Sequence, residues 1–345
     1  LQLFTSGGQY IAEHSTSSAV ITPTDVTISR ETLYPSSGVP PLRVNDVTLF
    51  LTRFGKQLRE FTVPRDSIGD AYVAPDLLTL AEHITADTAI VDMAYQREPI
   101  GIIWCVLASG LLASATYRRE ENVVAWATHQ TCGSFEAVTV IPHPDGDREQ
   151  VWVIFKRTLV SCIKRYVEYL DDATLVYDRR FTDASVVYNN CVATATYTGL
   201  DHLECERVHI QADGLFVGTC VVAQGRVILQ VAANKVEIGQ PMVSEAITLA
   251  PEVAFGAGSI QPMRKRWARV FIRVKDSCHM MIRTMPGPLE PIKDSLGVDM
   301  RGSGVKDYDI SRLGDFVDGR ITIRQEYPLP SHVLMVGGVL DLGGS

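Results

Sequence analysis

Hydrophobic and polar residues alternate in short runs along this chain, and residues 100–129 show the pattern most clearly. Ile102 to Leu107 is an apolar run, Ala108-Ser109-Gly110 is a turn, and Leu111 to Tyr117 is a second apolar run. A charged turn follows, and Val123 to His129 alternates again. Short runs rich in β-branched and aromatic residues, bounded by turn signals, indicate antiparallel strands. This stretch therefore predicts three consecutive strands of one sheet.

The same strand–turn–strand pattern recurs at three other places, which are residues 1–15, 47–63 and 150–170. One large ring marks each of the four copies: Phe4, Phe50, Trp104 and Trp152. The spacings between these rings are 46, 54 and 48 residues. A repeat of about 50 residues falls in the range of β-propeller proteins. The pattern predicts that residues 1–172 form a propeller-like region of repeated antiparallel sheets.

The first copy begins at residue 1, which is Leu and not Met. We therefore expect the chain to be trimmed or to be a fragment of a longer protein. Further repeats are expected upstream, so the propeller-like region is expected to be incomplete at its N-terminus.

One segment breaks the strand pattern and predicts a short helix over Ala74 to Ile84. Pro75 suits the first position of a helix, and Asp76 suits the positive N-terminal end. Leucine, alanine and isoleucine recur at helical spacing, at Leu77, Leu80, Ala81 and Ile84. We expect this helix to pack on the side of the sheets.

The second half of the chain is a series of short strands separated by dense turn signals. Residues 173–250 are predicted to form a small antiparallel barrel or sandwich, with one turn at Asp213-Gly214. Residues 251–345 are predicted to form a further β unit. Its elements include a charged strand over Arg264 to Ser277 and a closing hairpin over Gly319 to Leu342, turned by Tyr327 to Pro330. The fold class is therefore all-β throughout.

The net charge of the 345 residues is −8, and it is unevenly spread. Residues 251–345 carry 13 Lys and Arg against 11 Asp and Glu, so the acidic excess lies in residues 1–250. An acidic body argues against sequence-independent binding of nucleic acid, which needs basic surface. It suits a surface past which DNA slides, although simple solubility is the favoured interpretation. The apolar runs, such as Gly101 to Leu107, are too short to span a bilayer.

Cysteine usage indicates a reducing compartment. The chain has seven cysteines and no CxxC pair: Cys105, Cys132, Cys162, Cys191, Cys205, Cys220 and Cys278. Most lie in strand-like runs beside apolar residues, so we interpret them as small buried hydrophobic residues and not as a disulfide framework.

No motif of a known catalytic or phosphate-binding site is present in the sequence. His202, Cys205 and His209, with Cys191 nearby, are the best candidates for a zinc site. Zinc normally needs a second matched pair of ligands across a turn, so a turn histidine and a strand histidine are favoured. We therefore expect no metal site here.

Two groups of acidic residues are candidates for calcium binding or for acid–base catalysis. Asp145, Asp147 and Glu149 lie on one hairpin loop and could offer oxygen ligands to calcium, but they lack the spacing of a full calcium loop. A solvated hairpin tip is favoured. The pair Asp171-Asp172 is interpreted as a turn at a domain boundary, because no partner for acid–base work is identifiable.

The basic and tryptophan residues have structural interpretations. Arg264, Lys265, Arg266 and Arg269 form the one basic cluster. Charges alternate between faces along a strand, so a subunit interface or a solvated edge is favoured over nucleic-acid binding. Large rings at strand centres fill the space between sheets, so the tryptophans are expected in the core: Trp104, Trp126 and Trp152.

Several segments together resemble the tail nozzle (tail tubular protein B-like) proteins of short-tailed bacteriophages. The most specific are YVAPDLLTLAEHI at 72–84 and REENVVAWATH at 119–129. RKRWARVFIRV at 264–274 and ITIRQEYPLPSHVLMVGGVLDL at 321–342 are similar to the C-terminal end of that family. The resemblance runs from Phe4 to Leu342. The turn at Ala108-Ser109-Gly110 departs from it, since an Asp-Gly turn is usual there.

The resemblance implies a structural role in the virion tail, after assembly in the host cytoplasm. It implies a homo-oligomeric, hexameric ring at the distal end of the tail, which binds a tail adaptor protein, supports fibres or spikes and channels DNA during ejection. The family has no catalytic residue to carry over, so no enzymatic activity, cofactor or metal is expected.

Two other functions stay open. One is a tail-associated β-propeller that binds or degrades glycans, which a cleft with two carboxylates at glycosidase separation would favour. The other is a soluble propeller scaffold of cellular origin.

Overall fold

A computed structural model describes residues 1–15, 20–63, 71–158, 163–171, 180–252, 259–261, 263–284, 287–293, 300, 304–316 and 318–342, except the side chains of residues 309 and 311–316. The regular structure of the described residues is almost entirely β-strand, arranged in small antiparallel sheets and joined by turns and loops. The prediction of an all-β, propeller-like fold of repeated sheets is confirmed. The chain divides into two compact units, Leu1–Asp171 and Asp172–Ser345. A separate boundary near residue 250 stays a prediction.

The described residues of the first unit form four sheets of consecutive strands. The first two sheets comprise β1 (Gln2–Thr5), β2 (Gly8–Glu13) and β3 (Thr27–Thr32), then β4 (Leu42–Val44), β5 (Val47–Leu51) and β6 (Leu58–Phe61). The third sheet comprises β7 (Ile90–Gln96), β8 (Ile102–Leu107), β9 (Leu112–Arg118) and β10 (Val123–His129). The fourth comprises β11 (Ser134–Pro142), β12 (Glu149–Thr158) and β13 (Ile163–Tyr169).

The repeat seen in the sequence matches this order for three of its four marker residues. Phe50, Trp104 and Trp152 each lie on the second strand of their sheet. Phe4 lies on β1, the first strand of its sheet, so the N-terminal copy is out of phase with the other three.

Apolar cores join each of these sheets to the next. Phe50 and Phe61 pack with Ile11 between the first and second sheets. Leu49 and Leu58 pack with residues of β8 and β9 between the second and third sheets. The core between the third and fourth sheets contains the following residues: Trp104, Val106, Leu112, Phe135, Val138, Val151, Val153 and Phe155. The two inner sheets are therefore covered on both faces.

The predicted helix over Ala74 to Ile84 is wrong. Pro75 accepts a hydrogen bond from the Glu60 amide and Leu77 donates to the Leu58 carbonyl, so this segment lies along β6. A short 3-10 helix covers Glu82–Ile84. The apolar residues Leu78, Ala81 and Ile84 do face the core, but Leu80 is 98% exposed. The apolar spacing reflects a turn that covers the sheet and not a helix.

In the part of the second unit that the structure describes, the strands form three further sheets. One has the order β14 (Asp183–Thr198), β17 (Arg226–Gln240), β15 (Arg207–Ala212) and β16 (Leu215–Val221), with a 3-10 helix at Asp201–Leu203. Another has the order β18 (Ser244–Ile247), β23 (Ile321–Gln325), β20 (Met281–Thr284) and β21 (Glu290–Pro291). The last has β19 (Lys265–Lys275) between β22 (Val305–Phe316) and β24 (Val333–Leu342).

The predicted closing hairpin over Gly319 to Leu342 is wrong, because its two strands join different sheets. β23 pairs with β18 and β20, whereas β24 pairs with β19. Residues Tyr327 to Pro330 therefore pass between sheets instead of turning a hairpin. A shared core of residues such as Ile272, Ile282 and Ile323 packs these two sheets together.

The interpretation of the cysteines as buried residues is wrong for three of the six that the structure describes. Cys105 is buried, and Cys220 and Cys278 are partly buried. The remaining described cysteines are exposed: Cys132, Cys191 and Cys205. Cys162 lies outside the described residues. The exposed cysteines lie in turns or on outward-facing strand positions, where an apolar neighbour in the sequence says nothing about burial.

Candidate functional site

The predicted zinc ligands do not converge. The His202 ring shares a hydrogen bond with the carbonyl of Ala184, with 3.1 Å between Nε2 and O. Cys205 and Cys191 are exposed. Burial lowers the pKa of His209, whose ring packs against Phe216 on the neighbouring strand. Within the described part of the chain, these residues do not form a group of metal-binding atoms.

The acidic hairpin loop between β11 and β12 brings together a different set of residues from the predicted one. Ligand atoms of His143, Asp145 and Asp147 lie within 4.8 Å of one another. The Arg148 guanidinium donates to both Asp147 oxygens at 2.9 Å, so this charge is already paired. Glu149 instead accepts a hydrogen bond from the Arg97 backbone amide. This geometry fits the favoured interpretation of a solvated hairpin tip. His143 was missed because it lies outside the acidic run.

Of the two residues of the predicted boundary turn, one lies among the described residues and one does not. Asp171 ends the first compact unit, whereas Asp172 lies outside the described residues.

The basic cluster alternates between faces, as predicted. Lys265 is buried and donates from Nζ to the Gln261 carbonyl at 3.0 Å, whereas Arg266 is exposed opposite Asp341 of β24. The Arg269 guanidinium lies 5.0 Å from the ring centroid of Phe271. The cluster therefore does not present a continuous basic face.

The tryptophans divide between core and surface. Trp104 is 8% exposed in the core between the third and fourth sheets. Trp126 packs against the neighbouring core and donates from Nε1 to the Leu77 carbonyl at 2.9 Å. The expectation is wrong for Trp152, because the neighbouring positions Val151 and Val153 occupy the core face of β12.

Trp152 instead belongs to an apolar outer face on the fourth sheet. Its ring lies 5.3 Å from that of Tyr169, which is its cross-strand partner on β13. The next pair along the strands is Ile154 and Val167, which are 40% and 68% exposed. In the described part of the first unit, no further sheet packs on this face, whereas each inner sheet has a neighbouring sheet on both faces.

A buried polar cluster links the second and third sheets. Glu60 accepts hydrogen bonds from the Tyr117 hydroxyl and the Arg119 Nε, both at 2.7 Å. Burial, followed by the hydrogen bond to Glu60, raises the pKa of Tyr117. Arg119 also donates to Asp46 and Thr62. Because these groups satisfy one another, we interpret the cluster as structural.

A half-open cavity of about 450 Å³ lies in the second unit and is a candidate for a ligand site. It is lined by Gly214, Leu215, Phe216, Cys278, His279, Tyr327 and Leu329. The rings of Phe216 and Tyr327 lie 5.0 Å apart, and those of Tyr327 and His279 lie 6.1 Å apart. Sequence reasoning missed this cavity because its residues come from three distant segments.

Comparisons with known proteins provide little beyond the fold. No family model matches the chain, and no curated protein matches it. A solved structure that is similar is a glycoside hydrolase family 43 arabinoxylan arabinofuranohydrolase from Bacillus subtilis, in complex with cellotetraose. The match covers 99% of this chain and 93% of that chain, with 10% sequence identity and a TM-score of 0.24.

This match corrects one expectation. The similar structure belongs to a glycoside hydrolase, so the expectation that the chain has no enzymatic activity is contradicted and is withdrawn. A TM-score of 0.24 carries no argument about a reaction, a substrate or catalytic residues. In the described part of the chain, no helix has the length and apolar character needed to cross a membrane.

Proposed function

We propose that this chain is a ring-forming structural protein of a phage tail, of the nozzle type that its sequence resembles. The observation that supports self-assembly is a contrast between the two edges of one sheet. Five of the twelve residues of β22 are charged, whereas one of the ten residues of β24 is charged. Charged residues protect a free edge from pairing with another chain, and an apolar edge lacks that protection.

The edge strand β24 exposes apolar side chains, as a surface does that another chain covers. Leu334, Met335 and Val339 are 45%, 47% and 47% exposed. One side of the strand pairs with β19, and no described strand pairs with its other side. Its free amides and carbonyls can pair with a strand of a second copy, with apolar side chains adding buried area.

A second free edge, β18, supplies the matching strand, with one charged residue, Glu245, among its four. All four of its residues are exposed, and it ends its own sheet. Ile247 is 53% exposed, and the neighbouring residues Val243 and Leu249 are 50% and 86% exposed. β18 and β24 are different surfaces, so pairing one with the other joins copies head to tail. Head-to-tail contacts form a ring when the rotation between copies closes.

The remaining parts of the proposal rest on the sequence resemblance. They are the hexameric ring, its place at the distal end of the virion tail, the adaptor and the fibres or spikes as partners, and the passage of DNA. The acidic excess of residues 1–250 supports a channel surface that does not retain DNA.

Electron microscopy of the purified protein, alone and mixed with its adaptor ring, tests the proposal. We expect class averages with a closed ring and a central hole, and attachment of the adaptor to one face. Monomers in both samples would refute the ring.

A second candidate function is glycan binding by the outer face of the fourth sheet. The observation that favours it is the contact between the half-buried Trp152 and the exposed Tyr169 on the outer face, since neighbouring rings can stack on the apolar face of a sugar. A glycan array with the wild-type protein and the Trp152→Ala variant tests this function. Binding that the variant loses would support it, and an array without a positive would exclude it for the glycans tested.

A further inference from the structure

The cavity of the second unit has the form of a built binding site. Its walls come from the β15–β16 hairpin, from the segment after β19 and from the crossing segment Tyr327 to Pro330. Three of its lining rings follow one another in the order Phe216, Tyr327 and His279, and the ring of His209, which does not line the cavity, packs on Phe216. Neighbouring ring centroids are 5.0 to 6.1 Å apart, and all three pairs are tilted or edge-on.

Hydrogen bonds fix the walls of the cavity. The Gln211 amide donates to the Pro328 carbonyl at 2.8 Å, which ties the hairpin to the crossing segment. The Gln325 side chain donates to the Cys278 carbonyl, and the His279 amide donates to Met300 at 2.9 Å. These contacts hold the cavity open in advance of binding, which reduces the entropy that a ligand must lose.

Backbone conformations at the rim are of the uncommon left-handed kind. Asp213 and Gly214 have φ values of 49° and 80° at the hairpin tip, and His279 has a φ of 50° on the opposite wall. A non-glycine residue in this conformation points to a local constraint. Here the constraint places Phe216 and His279 on either side of Tyr327.

The described part of the lining is mostly apolar. None of the described lining residues is Asp, Glu, Lys or Arg. The polar groups available are an imidazole, a phenol hydroxyl and a thiol, besides the backbone. A charged ligand would lose its hydration without gaining an opposite charge. A sugar would leave several hydroxyls without partners, which disfavours it in the same way.

We propose that this cavity binds an uncharged aromatic ring of the size of phenol or indole. Tilted aromatic walls favour a further ring in an edge-to-face or offset arrangement, and such contacts add to the stabilisation from buried area. The ring could belong to a free compound or to a tyrosine or tryptophan side chain of another copy. The proposal is independent of the ring-assembly function.

Ligand-observed saturation-transfer NMR with indole tests the proposal on the full chain. We expect transfer to indole with the wild-type protein and weaker transfer to methyl glucoside at the same concentration. Absence of transfer to indole, or stronger transfer to the glucoside, would overturn the proposal.

Two variants locate the binding. Tyr327→Ala removes the central ring, and Leu215→Arg places a long charged side chain at the rim, where Leu215 is 61% exposed and the fold tolerates change. We expect each variant to lower the affinity for indole at least tenfold. Phe54→Ala, which removes an exposed ring in the first unit, is the matched control and should leave the affinity unchanged. Unchanged binding in Leu215→Arg with a native circular dichroism spectrum would place indole elsewhere and overturn the proposal.

A sedimentation experiment distinguishes the two sources of the ring. If another copy supplies the ring, saturating indole should shift the wild-type oligomer towards smaller species. If the source is a free compound, indole should bind without changing the sedimentation. An indole-induced shift that persists in Leu215→Arg would contradict binding at this cavity.

Discussion

The two edges of the sheet formed by β22, β19 and β24 share a central strand but differ in chemistry. β22 is rich in charged residues, and its Asp307 pairs with Arg273 at 2.8 Å. β24 has Met335 opposite Arg273 and Val339 opposite Arg269. Arg273 therefore lies between the charged Asp307 of β22 and the apolar Met335 of β24. This difference supports the proposal that pairing is prevented at the β22 edge and open at the β24 edge.

A change in the central strand β19, which supports both edge strands, should have the largest effect on stability. Ile272 on β19 is fully buried beneath the sheet, so Ile272→Ala is expected to lower the free energy of unfolding by about 2–5 kcal/mol. Urea unfolding of the wild-type protein and the variant measures this loss. Phe271→Ala, a change at the next residue on the outer face, is the control and should cost clearly less. Equal losses would mean that the outer face is packed as tightly as the core.

Placing a charge on the open edge should stop assembly while preserving the fold. Val339→Glu puts a carboxylate opposite Arg269, which is a favourable cross-strand pair. We expect at least tenfold weaker self-association by sedimentation, with unchanged unfolding. Val305→Glu makes the same change on β22, where Val305 is 58% exposed, and should leave self-association unchanged. The same weakening in both variants would contradict the distinction between the edges.

Removing a charge from the protected edge should make it resemble the open one. Asp307→Val replaces an exposed carboxylate on β22 by a β-branched apolar residue. We expect larger assemblies than the wild type forms, measured by light scattering. A distribution identical to that of the wild type would indicate that other residues protect β22.

The smallest expected effect is the acid dependence of the Asp307–Arg273 pair. The hydrogen bond from Arg273, with its charge, holds the pKa of Asp307 below its usual range. The pair therefore stabilises the fold above the ordinary carboxyl pKa, and this contribution is lost as the pH falls through the lower folded pKa. The stability difference between the wild type and Asp307→Asn should disappear in acid. A difference that grows in acid would contradict the assigned direction.

The strands could be predicted from the sequence because their signals are local. Alternation and turn residues identified β8, β9 and β10 as consecutive strands, and the ring spacing identified the second strand of three sheets. The helix over Ala74 to Ile84 failed because the same apolar spacing serves a turn whose backbone groups bond to β6.

Features that depend on distant pairing could not be predicted. The two strands proposed as a closing hairpin are neighbours in the sequence, but each forms its ladder with strands that lie far away along the chain. Phe216 and Tyr327 meet across the cavity although more than a hundred residues separate them. Likewise, an aromatic residue such as Trp152 favours a strand whichever way its side chain points. The packing of Val151 and Val153 in the core decides that Trp152 lies on the outer face.

A mixing experiment tests the head-to-tail pairing of β24 with β18 most directly. Val339→Glu blocks β24 and Ile247→Glu blocks β18, where Ile247 is 53% exposed. We expect each variant alone to sediment as a monomer of 38.0 kDa, and an equal mixture to form dimers and no larger species. The mixture stops at dimers because only β18 of the Val339→Glu variant and β24 of the Ile247→Glu variant can still pair. Dimers of Ile247→Glu alone, with monomers of Val339→Glu and no new species on mixing, would show instead that β24 pairs with itself, and would contradict the head-to-tail ring.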